Sequence, residues 1–349
     1  MYPALNFPRT VISVLFRWGG GLRKKQLVHT YEDIISLDNF LLAWQEFIIG
    51  KKNKIDVQEF AYDLMDNIVS LHEDLKNHAY QHGGYTHFVI NDPKRRDIHK
   101  ASVRDRLLHH AVYRILYPFF DHTFIADSYS CRVDKGVHRV LNRFREYAYA
   151  VSRNHTRTCW ILKCDIRKFF ANIDHEVLFA ILNKYIPDQE IMRLLKNVVK
   201  SFPDGLPLGN LTSQLLTNIY MNVFDQWVKQ TLKARCYIRY ADDFVFFSAD
   251  KDWLENIVPR LQAFLQKELK LSLHPNKLFL RTAASGVDYL GWVHFPDHRV
   301  LRKATRRRMF ARVREHPSEE AVQSYLGMLS HGNAEKIKRD VMTEYWLCQ

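Results

Sequence analysis

The feature that most constrains this chain is a pair of adjacent acids, Asp242-Asp243, set between two largely apolar or aromatic runs at residues 237–240 and 244–247. Strand-forming residues on both sides of a short turn specify a hairpin, with the two carboxylates at its tip. Adjacent carboxylates between buried strands repel each other unless a cation neutralises them. Magnesium, a hard and oxygen-seeking ion, is the expected counter-ion. A third acid, Asp165, closes another strand-like run at residues 160–166. Aspartate is common in solvated turns, so the dipeptide carries weight only through its surroundings.

Those surroundings read as a mixed α+β chain. At 349 residues and 47% hydrophobic content, the chain can bury the core of one large domain or of two to three subdomains. After Gly19-Gly20-Gly21, residues 37–49 and 57–75 carry apolar side chains at helical spacing, which predicts a helical extension at the start. Beyond His82-Gly83-Gly84, residues 86–90 read as a strand. A turn at Asn91-Asp92-Pro93, a second extended run and a helix at 103–117 follow. Residues 174–185 and 189–199 are predicted helices, and 202–209 a Pro/Gly loop. The segment 213–232 is a further helix, with Leu216, Ile219, Val223, Trp227 and Leu232 on one stripe. This order suggests a sheet layered by helices, ending in a helical, basic tail from Arg302.

Charge narrows the partners. Lys plus Arg minus Asp plus Glu is 51 − 38 = +13, a field that attracts polyanions, nucleic acid first and an anionic membrane surface second. The apolar runs 11–16 and 244–247 fall far short of the roughly 20 residues that span a bilayer, and residues 1–18 lack a continuous hydrophobic segment and cleavage site. Five cysteines without a CxxC pair argue against a disulfide framework and a zinc site, so a reducing cytoplasm is expected. Between residues 299 and 314 stand Arg299, Arg302, Lys303, Arg306, Arg307, Arg308, Arg312 and Arg314 with no acid among them. A solvated helix normally mixes signs, so this segment is expected to track phosphates. His109-His110 lacks a third ligand at metal spacing, and Phe169, Trp227, Trp253 and Trp292 are expected to be core residues. Two magnesium ions held about 3.5 to 4 Å apart by three acids would suit an in-line displacement at phosphorus.

In order along the chain stand Arg96-x-Ile98, Asp105-Arg106, Asp165-Ile-Arg-Lys-Phe-Phe170-x-x-Ile-Asp174, Gly205-Leu-Pro-Leu-Gly-Asn-Leu-Thr-Ser-Gln214, Tyr240-Ala-Asp-Asp243, Asn276-Lys277 and Tyr289-Leu-Gly-Trp292. With these motifs the chain resembles the reverse transcriptases from about residue 86 to about residue 315. The resemblance implies a right-hand polymerase in which fingers, an antiparallel palm sheet backed by helices, and a helical thumb surround two Mg2+ ions. It divides the chain into a helical extension (1–85), fingers (86–160), palm (161–298, with a fingers-like insertion around 185–212) and basic thumb (299–349). Asp165, Asp242 and the backbone carbonyl of Ile166 would hold the metal, with Asp243 the third catalytic acid. Lys277 would protonate the pyrophosphate leaving group. Arg96, helped by Lys94, would grip the incoming triphosphate, and Phe170 would exclude a ribose 2′-hydroxyl. Leu208, Gly209 and Gln214 would line the nucleotide site, while Arg132, Arg302, Lys303, Arg306 and Arg307 would contact nucleic acid. Residues 286–295 resemble the hairpin that grips the primer.

Within that family the chain resembles in particular the reverse transcriptases of diversity-generating retroelements. Relatives of the group II intron and retroviral kind carry QGxxxSP where this chain has Leu208-Gly209-Asn210-Leu211-Thr212-Ser213-Gln214. Asp105-Arg-Leu-Leu-His-His110, Ser128-Tyr-Ser-Cys-Arg132, Lys135-Gly-x-His138 and Leu301-Arg-Lys303 match the same subgroup. The implied activity is adenine-directed mutagenic copying of a template-repeat RNA, from a DNA or RNA primer with deoxynucleoside triphosphates. The implied partner is a small, basic, oligomeric accessory protein, consistent with the expectation that no maturase or endonuclease domain is appended. A phage-defence or retron-type enzyme, and a catalytically inactive nucleic-acid-binding scaffold, are the competing readings.

Overall fold

The computed structural model describes residues 26–91 and 95–348. Four helices come first: α1 (Tyr31–Ile35), α2 (Leu37–Phe47), α3 (Ile55–Tyr62) and α4 (Leu64–Lys76). The single helix predicted over 57–75 is broken at Asp63, whose backbone leaves the helical region at φ −111°, ψ 43°. A hairpin of β1 (Tyr85–Ile90) and β2 (Arg96–Ala101) follows, then α5 (Val103–Asp121) and α6 (Val137–Val151). Next come β3 (Trp160–Asp165), α7 (His175–Leu182), α8 (Gln189–Lys200) and α9 (Leu211–Gln230). The acidic hairpin is β4 (Tyr237–Tyr240) and β5 (Asp243–Ser248), followed by α10 (Lys251–Leu269) and β6 (Phe279–Thr282). A three-stranded meander of β7 (Val287–Tyr289), β8 (Trp292–His294) and β9 (Arg299–Leu301) leads into α11 (Lys303–Glu315), α12 (Glu319–Leu329) and α13 (Glu335–Leu347).

The central sheet is antiparallel, in the order β4-β5-β3-β6. Its alternation assigns each strand residue a face. Leu162, Cys164, Tyr237, Phe244 and Phe246 point into the main core with α5, α7, α9 and α10. Ile161, Ile238, Val245 and Phe247 point the other way, onto Val140, Phe144 and Ala148 of α6. Residues 86–160 therefore divide in space. The β1–β2 hairpin sits against the 201–208 loop through His99 N–H to Leu208 O (3.0 Å) and Tyr85 against Ser201 (2.7 Å), whereas α6 backs the sheet.

α9 is the central helix. Of the stripe expected on it, Leu216 and Ile219 are buried, Val223 and Trp227 are half-buried and Leu232 lies beyond its end, whereas Thr212, Ser213, Asn218, Asn222 and Asp225 are buried as well. Such a helix holds polar groups only if they are hydrogen-bonded. Asn218 donates to Ser130 O (2.8 Å), and Asn222 to Thr123 Oγ1 (3.2 Å). The amino-terminal helices share the main core, where Ile34, Phe40, Phe47, Ile68 and Leu71 pack with Leu107, Leu108 and Val112 of α5. The carboxy-terminal helices build a separate core from Met309, Val313, Val322, Leu329 and Val341, which Trp292 joins to the meander. Among the described residues no helix is long and apolar enough to cross a membrane.

Candidate active site

The acids meet at one end of the central sheet. In the β3–β5 register Asp165 lies directly opposite Asp243, so both side chains occupy one face. Tyr240 pairs with Asp243 across the hairpin, leaving Ala241 and Asp242 as the turn, with Ala241 left-handed at φ 54°. Ile166 N–H donates to Asp242 O at 3.2 Å, which ties the turn to the end of β3, and His274 N–H donates to Asp165 O at 2.7 Å. Two cations attend the acids. Lys277 Nζ donates to Asp165 Oδ1 at 2.8 Å, and Lys163 Nζ lies 3.8 Å from Asp243 Oδ1. Lys163 also donates to Asp288 O (3.1 Å) and sits over the Tyr289 ring, so it fastens the β7–β8 hairpin to the strand that carries Asp165.

Burial pushes the Asp243 carboxyl up to about 6. The charges of Asp242 and Asp165 add to the rise, against the lowering influence of Lys163 and Lys277. A carboxylate cluster that raises its own proton affinity is short of positive charge, the condition a divalent cation relieves. Among the described residues no three His, Cys, Asp or Glu side chains form a ready-made metal cage. Asp165 is instead engaged by Lys277, an ammonium standing where cation charge is needed. The donor set of carboxylates and backbone carbonyls still suits a hard cation.

Residues 56–294 match the reverse transcriptase (RNA-dependent DNA polymerase) family. The chain belongs to that family. The reverse transcriptase domain is that of an RNA-directed DNA polymerase, a nucleotidyltransferase, and such domains use divalent metal ions. Its relatives include Protein YkfC of Escherichia coli K12, 26% identical over 270 residues (65% of this chain, 69% of YkfC). The group II intron-encoded protein LtrA of Lactococcus lactis subsp. cremoris is 23% identical over 290 residues (62% of this chain), and the match spans only 47% of LtrA. The Retron Ec83 reverse transcriptase of Escherichia coli is 29% identical over 187 residues, 48% of this chain and 55% of that protein. The fold is similar to that of telomerase from Candida albicans, solved with a fragment of telomeric RNA. The TM-score is 0.50 at 10% identity, covering 78% of this chain and 57% of that one. The architecture is accordingly an α+β right-hand polymerase.

In this reverse transcriptase Phe170 opens a single 3-10 turn (Phe170–Asn172) and is half-buried, while Phe169 is core. Phe170 O accepts from Leu206 N–H at 2.8 Å, which links the turn to the loop containing Leu208. Gly209, Gln214 and Arg132 line one cavity of about 550 Å3 together with Ile98 and Tyr113. Arg96 is exposed at the start of β2, and Lys94 lies outside the described residues.

Arg132 is not a free phosphate contact. Its guanidinium donates to Asp121 Oδ1 (2.6 Å) and to the carbonyls of Ile125 and Ser128 (2.8 Å each), and its side chain is 6% exposed. It folds the 121–132 segment instead. The basic tail is also less naked than its sequence, since Arg302 pairs with Asp288 (3.2 Å), Arg306 with Asp340 (3.3 Å) and Arg314 with Glu344. Lys303 and Arg307 are exposed. Burial lowers His109 and His110 to about 3, which keeps both imidazoles neutral and packed. Sequence reasoning missed Lys163, which looked like an ordinary strand residue, and Arg239, a fully buried arginine beside the acidic turn.

Proposed function

We propose that this chain copies a template-repeat RNA into cDNA, with errors concentrated at template adenines, as the polymerase of a diversity-generating retroelement. The observation that carries the polymerase chemistry is the Asp165–Asp243 pairing across β3 and β5 with Asp242 in the adjoining turn. Asp165, Asp242 and the Ile166 carbonyl would hold two Mg2+ ions, with Asp243 as the third acid. When bound, the ions lower the proton affinity of the primer 3′-hydroxyl and neutralise the charge that develops on the leaving pyrophosphate. Lys277, with its ammonium already beside Asp165, supplies a proton to the pyrophosphate. Phe170 meets the sugar of the incoming nucleotide, and Arg96 with Lys94 binds its triphosphate. The exposed Lys303 and Arg307 neutralise template–primer phosphates, with Arg302 and Arg306 beside them. In this reading residues 86–101 with the 201–210 loop act as fingers, the central sheet with its helices as palm, and residues from 299 as thumb.

Support for the retroelement subtype comes from Leu208 in the loop before α9 and from Gln214 in the first turn of that helix. An apolar Leu208 offers no side-chain hydrogen bond at the nascent pair, so selection for correct geometry loosens. A small basic accessory protein would then help engage the template. The likeness to the Retron Ec83 reverse transcriptase favours a second reading, a retron-type enzyme with the same chemistry. Primer extension on an RNA template with Mg2+, comparing wild type with Asp242→Asn/Asp243→Asn and sequencing the products, tests both. Deoxynucleotide-dependent products that vanish in the variant and carry errors at template adenines support the proposal. Accurate products favour the retron reading, and adenine errors that persist in Leu208→Gln remove the Leu208 mechanism.

A further inference from the structure

Arg239 is the best-connected buried group near the acids. It lies on β4, two residues before Ala241, and both it and Asp225 on α9 are 0% exposed. Its Nε is 2.9 Å from Asp225 Oδ1 and from Oδ2, and its Nη2 donates to Asp225 Oδ2 (2.7 Å) and Ser128 Oγ (2.9 Å). Its Nη1 donates to Asn218 Oδ1 (3.3 Å) and to the carbonyl of Ala241 (3.0 Å). The backbone is engaged as well, with Arg239 N–H on Asp127 O (2.9 Å) and Tyr129 N–H on Arg239 O (3.0 Å). One planar side chain therefore joins α9, the 127–129 segment and the turn that carries Asp242.

Two features separate this from an ordinary buried ion pair. Ala241 is left-handed at φ 54°, a conformation that a residue with a Cβ holds only when its surroundings impose it. A buried pair of this kind is no better for stability than well-packed apolar side chains. What the guanidinium adds is direction, because its rigid fork points one donor at the Ala241 carbonyl while Asp225 fixes its plane. We infer that Arg239 is a positioning residue that, through the Ala241 carbonyl, holds the turn in the one orientation from which Asp242 and Asp243 take the catalytic cations. The inference rests on the reading of those acids as the metal site.

Two variants test it. Arg239→Lys keeps a charge opposite Asp225 but lacks the second arm that reaches Ala241. Arg239→Met/Asp225→Leu/Tyr237→Phe removes the pair without stranding a charge or the Tyr237 hydroxyl, which donates to Asp225 at 2.8 Å. In each folded variant kcat should fall about 100-fold, the scale of a small misplacement of reacting groups, with KM for deoxynucleotide near wild type and a higher Mg2+ concentration at half-maximal rate. Hydrogen exchange should quicken in the peptide spanning residues 240–244 while α9 stays protected. Tyr237→Phe alone should behave as wild type. A folded variant with wild-type kcat and Mg2+ requirement overturns the inference, as does exchange that quickens equally along α9. If neither variant folds, Ser128→Ala decides: faster exchange confined to the turn supports the clamp, and unchanged exchange overturns it. Activity that survives Asp242→Asn/Asp243→Asn would sink the metal-site reading instead, leaving exchange at the turn to judge the clamp.

Discussion

Asp243 shows how a single residue can be costly to the fold and yet serve the proposed site. Its carboxyl is raised to about 6, by burial first and then by Asp242 and Asp165. The folded protein therefore binds this proton more tightly than the unfolded chain. Ionised Asp243 costs stability above pH ~6, and the cost is relieved as pH falls from there towards the ordinary carboxylate value. Asp243→Asn should thus stabilise the metal-free protein by roughly 1–2 kcal/mol at pH 8, with the gain shrinking by pH 5. Thermal melts of both proteins in chelator at the two pH values check this, and a gain independent of pH would contradict it. Cations favour the ionised form, so raising Mg2+ should move the acid limb of the rate profile to lower pH. At Phe170, substitution by Ala should admit ribonucleotides, read by primer extension with ribonucleoside triphosphates. Continued exclusion would remove the gate assignment.

At the scale of elements, the 202–210 loop matters because it carries no regular structure of its own and is held by what it touches. Gly205 has φ +66°, and a Cβ there would sit 2.2 Å from Phe170 O and 2.7 Å from the Ala171 backbone. Gly205→Ala should destabilise the protein by about 1–3 kcal/mol and also weaken discrimination against ribonucleotides, because the displaced neighbour carries Phe170. A melt with unchanged sugar selectivity would show that the loop supports the fold alone. The hairpins and most helices were legible in the sequence, since alternation and helical spacing are local properties of a dozen residues. The break at Asp63 was not, because the apolar spacing continues across it and only backbone angles record the turn.

The whole molecule is held by two joints that no local pattern reveals. The amino-terminal helices are part of the main core, with Asn39 of α2 donating to Ala111 O (3.2 Å) and accepting from Arg114 Nε (3.1 Å), and Asp105 holds the segment that follows them by accepting from Tyr80 Oη (2.7 Å) and Gly83 N–H (3.1 Å). Deleting residues 1–80 should expose Leu107, Leu108 and Val112 and yield aggregated protein, measured by size-exclusion chromatography. A monomeric, active truncation would contradict the shared core. At the other end, tertiary acids neutralise part of the basic tail, so its exposed charges should carry the salt dependence. Lys303→Ala/Arg307→Ala should lower the slope of log affinity against log salt for a template–primer duplex by about 2. An unchanged slope would place the duplex elsewhere.

The sequence by itself determined the acids, the hairpin that presents two of them, the order of the motifs and hence the family. Each rests on residue identity over short stretches. Only the tertiary structure decided that Asp165 faces Asp243, that Lys163 and Lys277 attend them, that Arg132 is spent internally and that Arg239 donates to the Ala241 carbonyl. Ser128 and Arg239 are 111 residues apart, and Lys277 and Asp165 are 112 apart. A polar pair at such separation leaves no period or composition to read, because its partners are chosen by how the sheet and α9 pack rather than by neighbours in the chain.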